Sequence, residues 1–174
     1  MSGDGDARAT GRLLLWPPGP GDGSAYRALL AHPTIGEWLR PPPLPPFEPE
    51  DGDIWLEDDV RHWERFGFGP WAVRERESGD YLGRVGLRRS EIGERAGIEV
   101  LWSIDPARHC EGFAAEAAGA ALAFAADLGL DEVFAMILPV NAASLRVAEK
   151  IGMTRDGKVE HAGFDHLLFR AAPT

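Results

Sequence analysis

A strand, a helix and a second strand in direct succession constrain this chain more than any other feature. The segment "AGIEVLWSI" (96–104) is rich in β-branched residues, and "GFAAEAAGAALAFAADLG" (112–129) reads as a helix closed by Gly129. "DEVFAMIL" (131–138) then reads as a strand that stops at Pro139. Two neighbouring strands joined through a crossover helix run parallel, because a short reversal is not available to them. The flanking segments point the other way. "PWAVRERESGDYLGRVGLRR" (70–89) reads as a hairpin around Ser78-Gly79-Asp80, and "MTRDGKVEHAG" with "FDHLLFR" supplies two final strands. Between them "NAASLRVAEKIG" (141–152) is a helix with Asn141 as its N-cap and Gly152 beyond its end. From Trp71 the order is therefore β-β-β-α-β-α-β-β. This predicts an α+β (mixed α/β) domain whose mostly antiparallel sheet holds one parallel pair.

Upstream, "RLLLW" (12–16) reads as a short strand, and "PPGPGDG" breaks it. "SAYRALLAHPTIGEWL" carries helical spacing through Tyr26, Leu29 and Leu30, interrupted at Pro33. "PPPLPPFEP" (41–49) can be neither helix nor central strand, since proline lacks the amide donor. It reads as a stiff surface loop, or as a polyproline ligand shown to a partner. "EDGDIWLEDDVRHWERF" follows as a helix with Ile54, Val60, Trp63 and Phe66 on its apolar side. Seven acidic residues and no basic one fall between Glu48 and Asp59. They suit a helix N-terminus, or an acidic lip that draws in an amine.

A length of 174 residues with 44% hydrophobic residues suits one domain over 11–174 behind a flexible stretch at 1–10. The single cysteine excludes an intrachain disulfide, and a reducing, cytoplasmic interior is the simplest home. The first residues are polar and acidic, unlike a leader peptide, and no apolar run approaches the roughly 20 residues that span a bilayer, so no membrane partner is expected. With a formal charge of −10 and no basic stripe, nucleic acid is not an expected partner either.

The chemistry concentrates in "RHCEGFAAEAA" (108–118), where side chains shrink as the helix begins. The first amides of a helix have no intrahelical acceptor and sit at its positive end, so an unobstructed helix start binds phosphate. Gly112 and Ala114 remove the obstruction. "HCEGFA" (109–114) can wrap a pyrophosphate with main-chain donors. Alternatively, the nine alanines between 113 and 128 serve close packing on the sheet. The protein's negative charge disfavours phosphate unless Arg108, Arg146 or Lys150 stands near.

"GIEVLWSIDPARHCEGFAAEAAGAALAFA", followed by "NAASLRVAEKIGM", resembles the GNAT superfamily of acetyl-coenzyme A-dependent N-acetyltransferases. Within it, the chain is most similar to the branch of ribosomal-protein alanine N-acetyltransferases. The likeness runs over most of residues 12–170, because "RLLLW", "WERFGFGPWAV" and "SGDYLGRVGL" also fit. The family pattern is Gln or Arg, two residues, Gly, one residue, then Gly or Ala. Here His109, Gly112 and Ala114 hold those places, and His109 is a departure.

The resemblance implies a twisted, mostly antiparallel sheet with a splayed parallel pair and helices on both faces. It implies acetyl-coenzyme A as cosubstrate, a primary amine as acceptor, no metal, and the homodimer common in the family. The cofactor would lie between the strands at 97–104 and 132–138, against Trp102, Ile104, His109, Cys110, Glu111, Gly112, Phe113, Ala114 and Asn141. Glu99 would draw off the ammonium proton through water, with a surface salt bridge as its alternative role. A backbone amide near Trp102 would hold the carbonyl oxygen as it gains charge. Where much of the superfamily has a tyrosine to protonate the thiolate, this chain has Ala148. Ser144 matches a serine of the ribosomal-protein branch and would donate a hydrogen bond to the sulfur.

Other classes remain open on the same residues. Ala148 favours an acyl-coenzyme A-binding or regulatory domain without turnover. The proline loop favours an interaction protein, and an antibiotic or polyamine is an alternative acceptor. Adjacent His109 and Cys110 do not face one another as a catalytic pair must. His161, Asp165 and His166 flank a turn without the spacing of a compact metal site.

Overall fold

The computed structural model of the protein describes residues 6–173. Its strands are β1 (Arg8–Ala9), β2 (Leu13–Trp16), β3 (Pro70–Glu75), β4 (Tyr81–Ile92), β5 (Arg95–Ile104), β6 (Val133–Ile137), β7 (Thr154–His161) and β8 (Phe164–Ala171). Its helices are α1 (Gly23–Leu30), α2 (Pro33–Leu39), α3 (Pro49–Phe66), α4 (Phe113–Asp127) and α5 (Ala142–Lys150). The strands form one sheet in the order β1-β2-β3-β4-β5-β6-β8-β7. Every pairing is antiparallel except β5 with β6, as the crossover pattern predicts.

Register decides which side chains share a face. Leu87 lies opposite Val100, Val85 opposite Trp102 and Arg88 opposite Glu99. Directly opposed residues point the same way, and the face alternates along a strand. Val85, Leu87, Val100, Trp102 and Ile104 therefore share one face, while Arg84, Arg88, Ser90, Glu99, Leu101 and Ser103 share the other.

On the first face, α4 buries Phe113, Ala117, Ala118, Ala121, Phe124 and Ala125 in one cluster with Val85, Leu87 and Val100. Alanine lets the helix axis come close to the strands, and the larger strand side chains fill the space between. Leu87 is wholly buried there, a position where truncation to alanine typically costs about 2–5 kcal/mol. On the second face, α3 reaches the sheet through Asp59, which meets Arg84 of β4. Helices thus cover both faces.

Three local expectations differ. Residues 8–9, assigned to a loose terminus, pair with Leu14 and Leu15 of β2; residues 1–5 lie outside the described residues. The first helical segment is two helices, because Pro33 opens α2 at its N1 position and the His32 side chain accepts from the Thr34 amide at 3.2 Å. The inward stripe of α3 is Gly52, Leu56, Asp59, His62 and Trp63, while Ile54 is 56% exposed. Reading only apolar residues misphased the helix, since two of its inward residues are polar. Asp59 is matched by arginines, and His62 accepts from the Arg89 amide at 3.0 Å and meets the Phe68 carbonyl at 2.7 Å.

Candidate functional site

The pairing of β5 with β6 amounts to a single register, Glu99 opposite Phe134, after which the strands part. β6 instead pairs with β8 through Ile137 and Leu167. The gap opens into a cavity of about 820 Å³. Residues from both faces of β5 line it, among them Glu99, Leu101 and Ser103 as well as Val100, Trp102 and Ile104, so it passes through the sheet. On strand alternation, the Asp105 amide donating to Leu82 at 2.7 Å turns the main-chain groups of Trp102 and Ile104 away from β4, toward the gap.

One end of the cavity is the start of α4. Cys110 and Gly112 both have positive φ, 66° and 85°, and this turns successive amides inward ahead of the helix. Glu116 is the first amide taken up within α4, donating to the Gly112 carbonyl at 3.0 Å, so those of 113–115 precede the ladder. Two cations flank the turn: a carbon added at Gly112 would stand 3.5 Å from Arg12 Nη2 and 3.7 Å from Lys150 Nζ. Arg12 is fixed there by Glu116, with Nε to Oε2 at 2.7 Å, and by the Glu111 carbonyl at 3.0 Å. Gly112, Ala115 and Lys150 also line a second hollow of about 650 Å³ that follows the small side chains Gly119 and Ala123. Inward amides, two cations and a long groove fit a pyrophosphate-bearing ligand such as coenzyme A.

Several expected contacts differ in detail. The His109 amide donates to the Pro106 carbonyl at 3.3 Å, which leaves the cradle to begin at Cys110. The His109 ring donates through Nε2 to the Ile104 carbonyl at 2.8 Å, so that carbonyl already has a donor. The Glu111 side chain does not line the cavity and pairs with Arg108 at 2.8 Å. Arg108 also binds Glu75, at 3.0 Å, which spends its charge away from the cradle. Trp102, His109, Cys110, Gly112, Phe113, Ala114 and Asn141 line the cavity. Arg12 was not singled out in the sequence, because nothing local connects β2 to residue 112.

At the gap, Asn141 Oδ1 accepts from the Ser144 amide at 3.1 Å, capping α5 and fixing Ser144. The Trp102 indole donates to Ser144 Oγ at 3.2 Å, which leaves the hydroxyl proton for another acceptor. Ala148 is fully buried in the main core and does not face the cavity. Neither tyrosine lines it.

The other end lies on the face that carries Arg84, Arg88 and Glu99. Glu99 is half-buried and accepts from Ser90 Oγ at 2.7 Å. Burial pushes its carboxyl above the ordinary range, while the Ser90 hydrogen bond and the nearby His161 work against that rise. His161 and His166 line the same space with ring centres 5.7 Å apart. His166 Nδ1 donates to the Phe164 carbonyl at 2.9 Å, and burial lowers its pKa, which favours the neutral ring with Nε2 as the basic nitrogen. Among the described residues, no group of three or more His, Cys, Asp and Glu is arranged to hold a metal. No helix among them is long and apolar enough to cross a membrane.

Ile35, Trp38 and Leu39 of α2 and Trp55 of α3 complete the wall, whereas the proline loop at 41–46 contributes nothing to it. Of the seven acidic residues from Glu48 to Asp59, Asp58 alone lines the cavity. The acidic lip expected from the sequence is largely consumed by ion pairs: Asp51 with Arg40 at 3.4 Å, Asp53 with Arg27 at 2.8 Å, and Asp59 with Arg84 and, at 3.0 Å, Arg88.

The profile of the acetyltransferase (GNAT) domain family matches residues 12–154. The chain is 33% identical over 104 residues to the protein YkkB of Bacillus subtilis (strain 168), a match that covers 57% of this chain and 58% of that one. The chain thus matches less than two thirds of that relative's length. An acetyltransferase from Agrobacterium tumefaciens str. C58 superposes with a TM-score of 0.81 at 28% identity, over 95% of this chain and 93% of that one. A ribosomal-protein-S5-alanine acetyltransferase from Vibrio fischeri gives a TM-score of 0.74 at 16% identity, over 96% of each chain, a likeness of fold.

Proposed function

Because the chain belongs to the GNAT acetyltransferase domain family, we propose that it is an N-acetyltransferase that moves an acetyl group from acetyl-coenzyme A directly to a primary amine. The observation that carries this reading is one continuous cavity with a phosphate-type cradle at one end and, at the other, Glu99, a carboxylate that accepts from Ser90 and is held in no ion pair among the described residues. When bound, acetyl-coenzyme A supplies the acetyl group as an activated thioester.

The residues divide the remaining work. Amides from Cys110 to Ala115, with Arg12 and Lys150 beside them, hold the diphosphate. Main-chain groups of Trp102 facing the gap orient the amide-bearing arm and offer a donor to the carbonyl oxygen. Glu99, with its raised pKa, accepts the ammonium proton directly or through one water, and the basic Nε2 of His166 lines the route out. The Ser144 hydroxyl, held by Trp102, donates to the departing sulfur.

The test is release of free thiol from acetyl-coenzyme A over a panel of amines, with cofactor binding followed separately by calorimetry. Amine-dependent release is expected. Tight cofactor binding with no release for any amine would leave a binding or regulatory domain, a second reading that the lack of a cavity-lining tyrosine favours.

A further inference from the structure

We propose that the acceptor is a small monoamine with an aromatic or bulky apolar body, seated against Trp38 and Trp55 with its ammonium at Glu99. This inference names the substrate of the acetyl-transfer site and rests on that reading.

The charges along the cavity suit a single ammonium. The carboxylates lining the cavity are Asp58 and Glu99. Asp58 is paired with Arg61 and has Arg88 Nη2 at 3.9 Å. Asp59, just behind the wall, has both oxygens occupied, by Arg84, by Arg88 and by the Tyr26 hydroxyl at 3.0 Å. Glu99 accepts from the neutral Ser90 hydroxyl and, although Arg84 and Arg88 lie close enough to favour its charge, it is the lining carboxylate among the described residues that no ion pair holds. One such carboxylate answers one ammonium. A polyamine or aminoglycoside would bring further cations toward Arg84 and Arg88 and find no anion to receive them.

The wall suits an apolar body. Ile35, Trp38, Leu39 and Trp55 form an apolar surface facing the same space as Glu99. Trp55 is held edge-on against Phe47 with ring centres 5.5 Å apart, and Arg84 Cζ sits 4.9 Å from its ring centre, so its plane is fixed before any ligand arrives. Trp38 and Leu39 are partly exposed, and this leaves apolar area for a ligand to cover. A total of about 820 Å³, shared with the arm of the cofactor, leaves room for a ring and a short chain.

The test compares phenethylamine, tryptamine, n-butylamine, spermidine and an alanine-terminated peptide as acceptors, at saturating acetyl-coenzyme A. Phenethylamine binding to the protein without cofactor is measured in parallel by calorimetry. The arylalkylamines should exceed n-butylamine, spermidine and the peptide in kcat/KM by at least about tenfold, the scale of one well-placed apolar group. Trp38→Ala should collapse that advantage and weaken phenethylamine binding by a similar factor, and Trp38→Phe should retain most of both. Spermidine or the peptide matching the arylalkylamines, or an advantage that survives Trp38→Ala, would overturn the assignment while leaving acetyl transfer intact. Phenethylamine binding that depends on Trp38, without thiol release from any amine, would support the pocket and remove the transferase reading.

Discussion

Two carboxylates, Asp59 and Glu99, lie on the same face of the sheet in contrasting surroundings. Asp59 has no exposure and is clasped by Arg84, Arg88 and Tyr26, while Arg84 itself is 4% exposed. Burial opposes the charge on Arg84, but Asp59 more than offsets it and raises the guanidinium pKa. Glu99 faces the cavity; burial holds its carboxyl above the ordinary range, and its one hydroxyl partner offsets only part of that rise. A buried carboxylate with every lone pair matched fixes helix α3 to strand β4. A half-buried carboxylate with a single hydroxyl partner is left able to take a proton. Partners, more than burial, separate a structural charge from a chemical one.

The largest expected effect is on the structural side. Asp59→Ala would strand Arg84 in the interior and cost roughly 3–5 kcal/mol, the usual penalty for breaking a buried pair. Chemical denaturation should show this as a lower midpoint at unchanged slope; a loss below about 1 kcal/mol would erase the contrast.

Glu99→Gln should lower kcat/KM by about 10²–10⁴-fold, as for removal of a general base. Its stability should move the other way. A carboxyl with a raised folded-state pKa contributes stability below its unfolded pKa, and that contribution is lost as pH rises through the folded value. Above that value the ionised Glu99 is therefore a cost, and the glutamine variant should melt no lower than the parent there. A large drop in Tm would show that Glu99 resembles Asp59 after all.

Ser144→Ala should reduce kcat by roughly tenfold, about the worth of one hydrogen bond made to a developing charge, with little change in cofactor affinity. Smallest in rate but sharpest in sign is Ser90→Ala. The wild-type profile should lose activity as pH falls through the raised pKa of Glu99. Removing the hydrogen bond that holds this pKa down should move the acid limb to higher pH. A limb that stays in place would assign it to a group other than Glu99.

The site was legible wherever it is local. Gly112 and the shrinking side chains after it mark an open helix start in the sequence alone, as does Asn141 as a cap, because both act through their own backbone. Glu99 and Ser144 were named through family resemblance, and their hydrogen-bond partners Ser90 and Trp102 appear only when strands pair and α5 docks. The acidic run at Glu48–Asp59, open between a helix start and an acidic lip in the sequence, shows the same limit. Read along the chain it is a negative patch, yet in space arginines 26 residues before and 25 residues after answer it, as Arg27 with Asp53 and Arg84 with Asp59 show. His161 and His166, set aside as metal ligands, gain a place only because β7 and β8 carry them to the cavity.

Element order, the single parallel pair and the bare start of α4 were determined by the sequence itself, since hydrophobic period, turn residues and missing side chains act within a few residues. Which carboxylates are held in ion pairs and which are left outside them was decided by the tertiary structure. Coulomb and hydrogen-bond partners are neighbours in space, and distance along the chain does not report them.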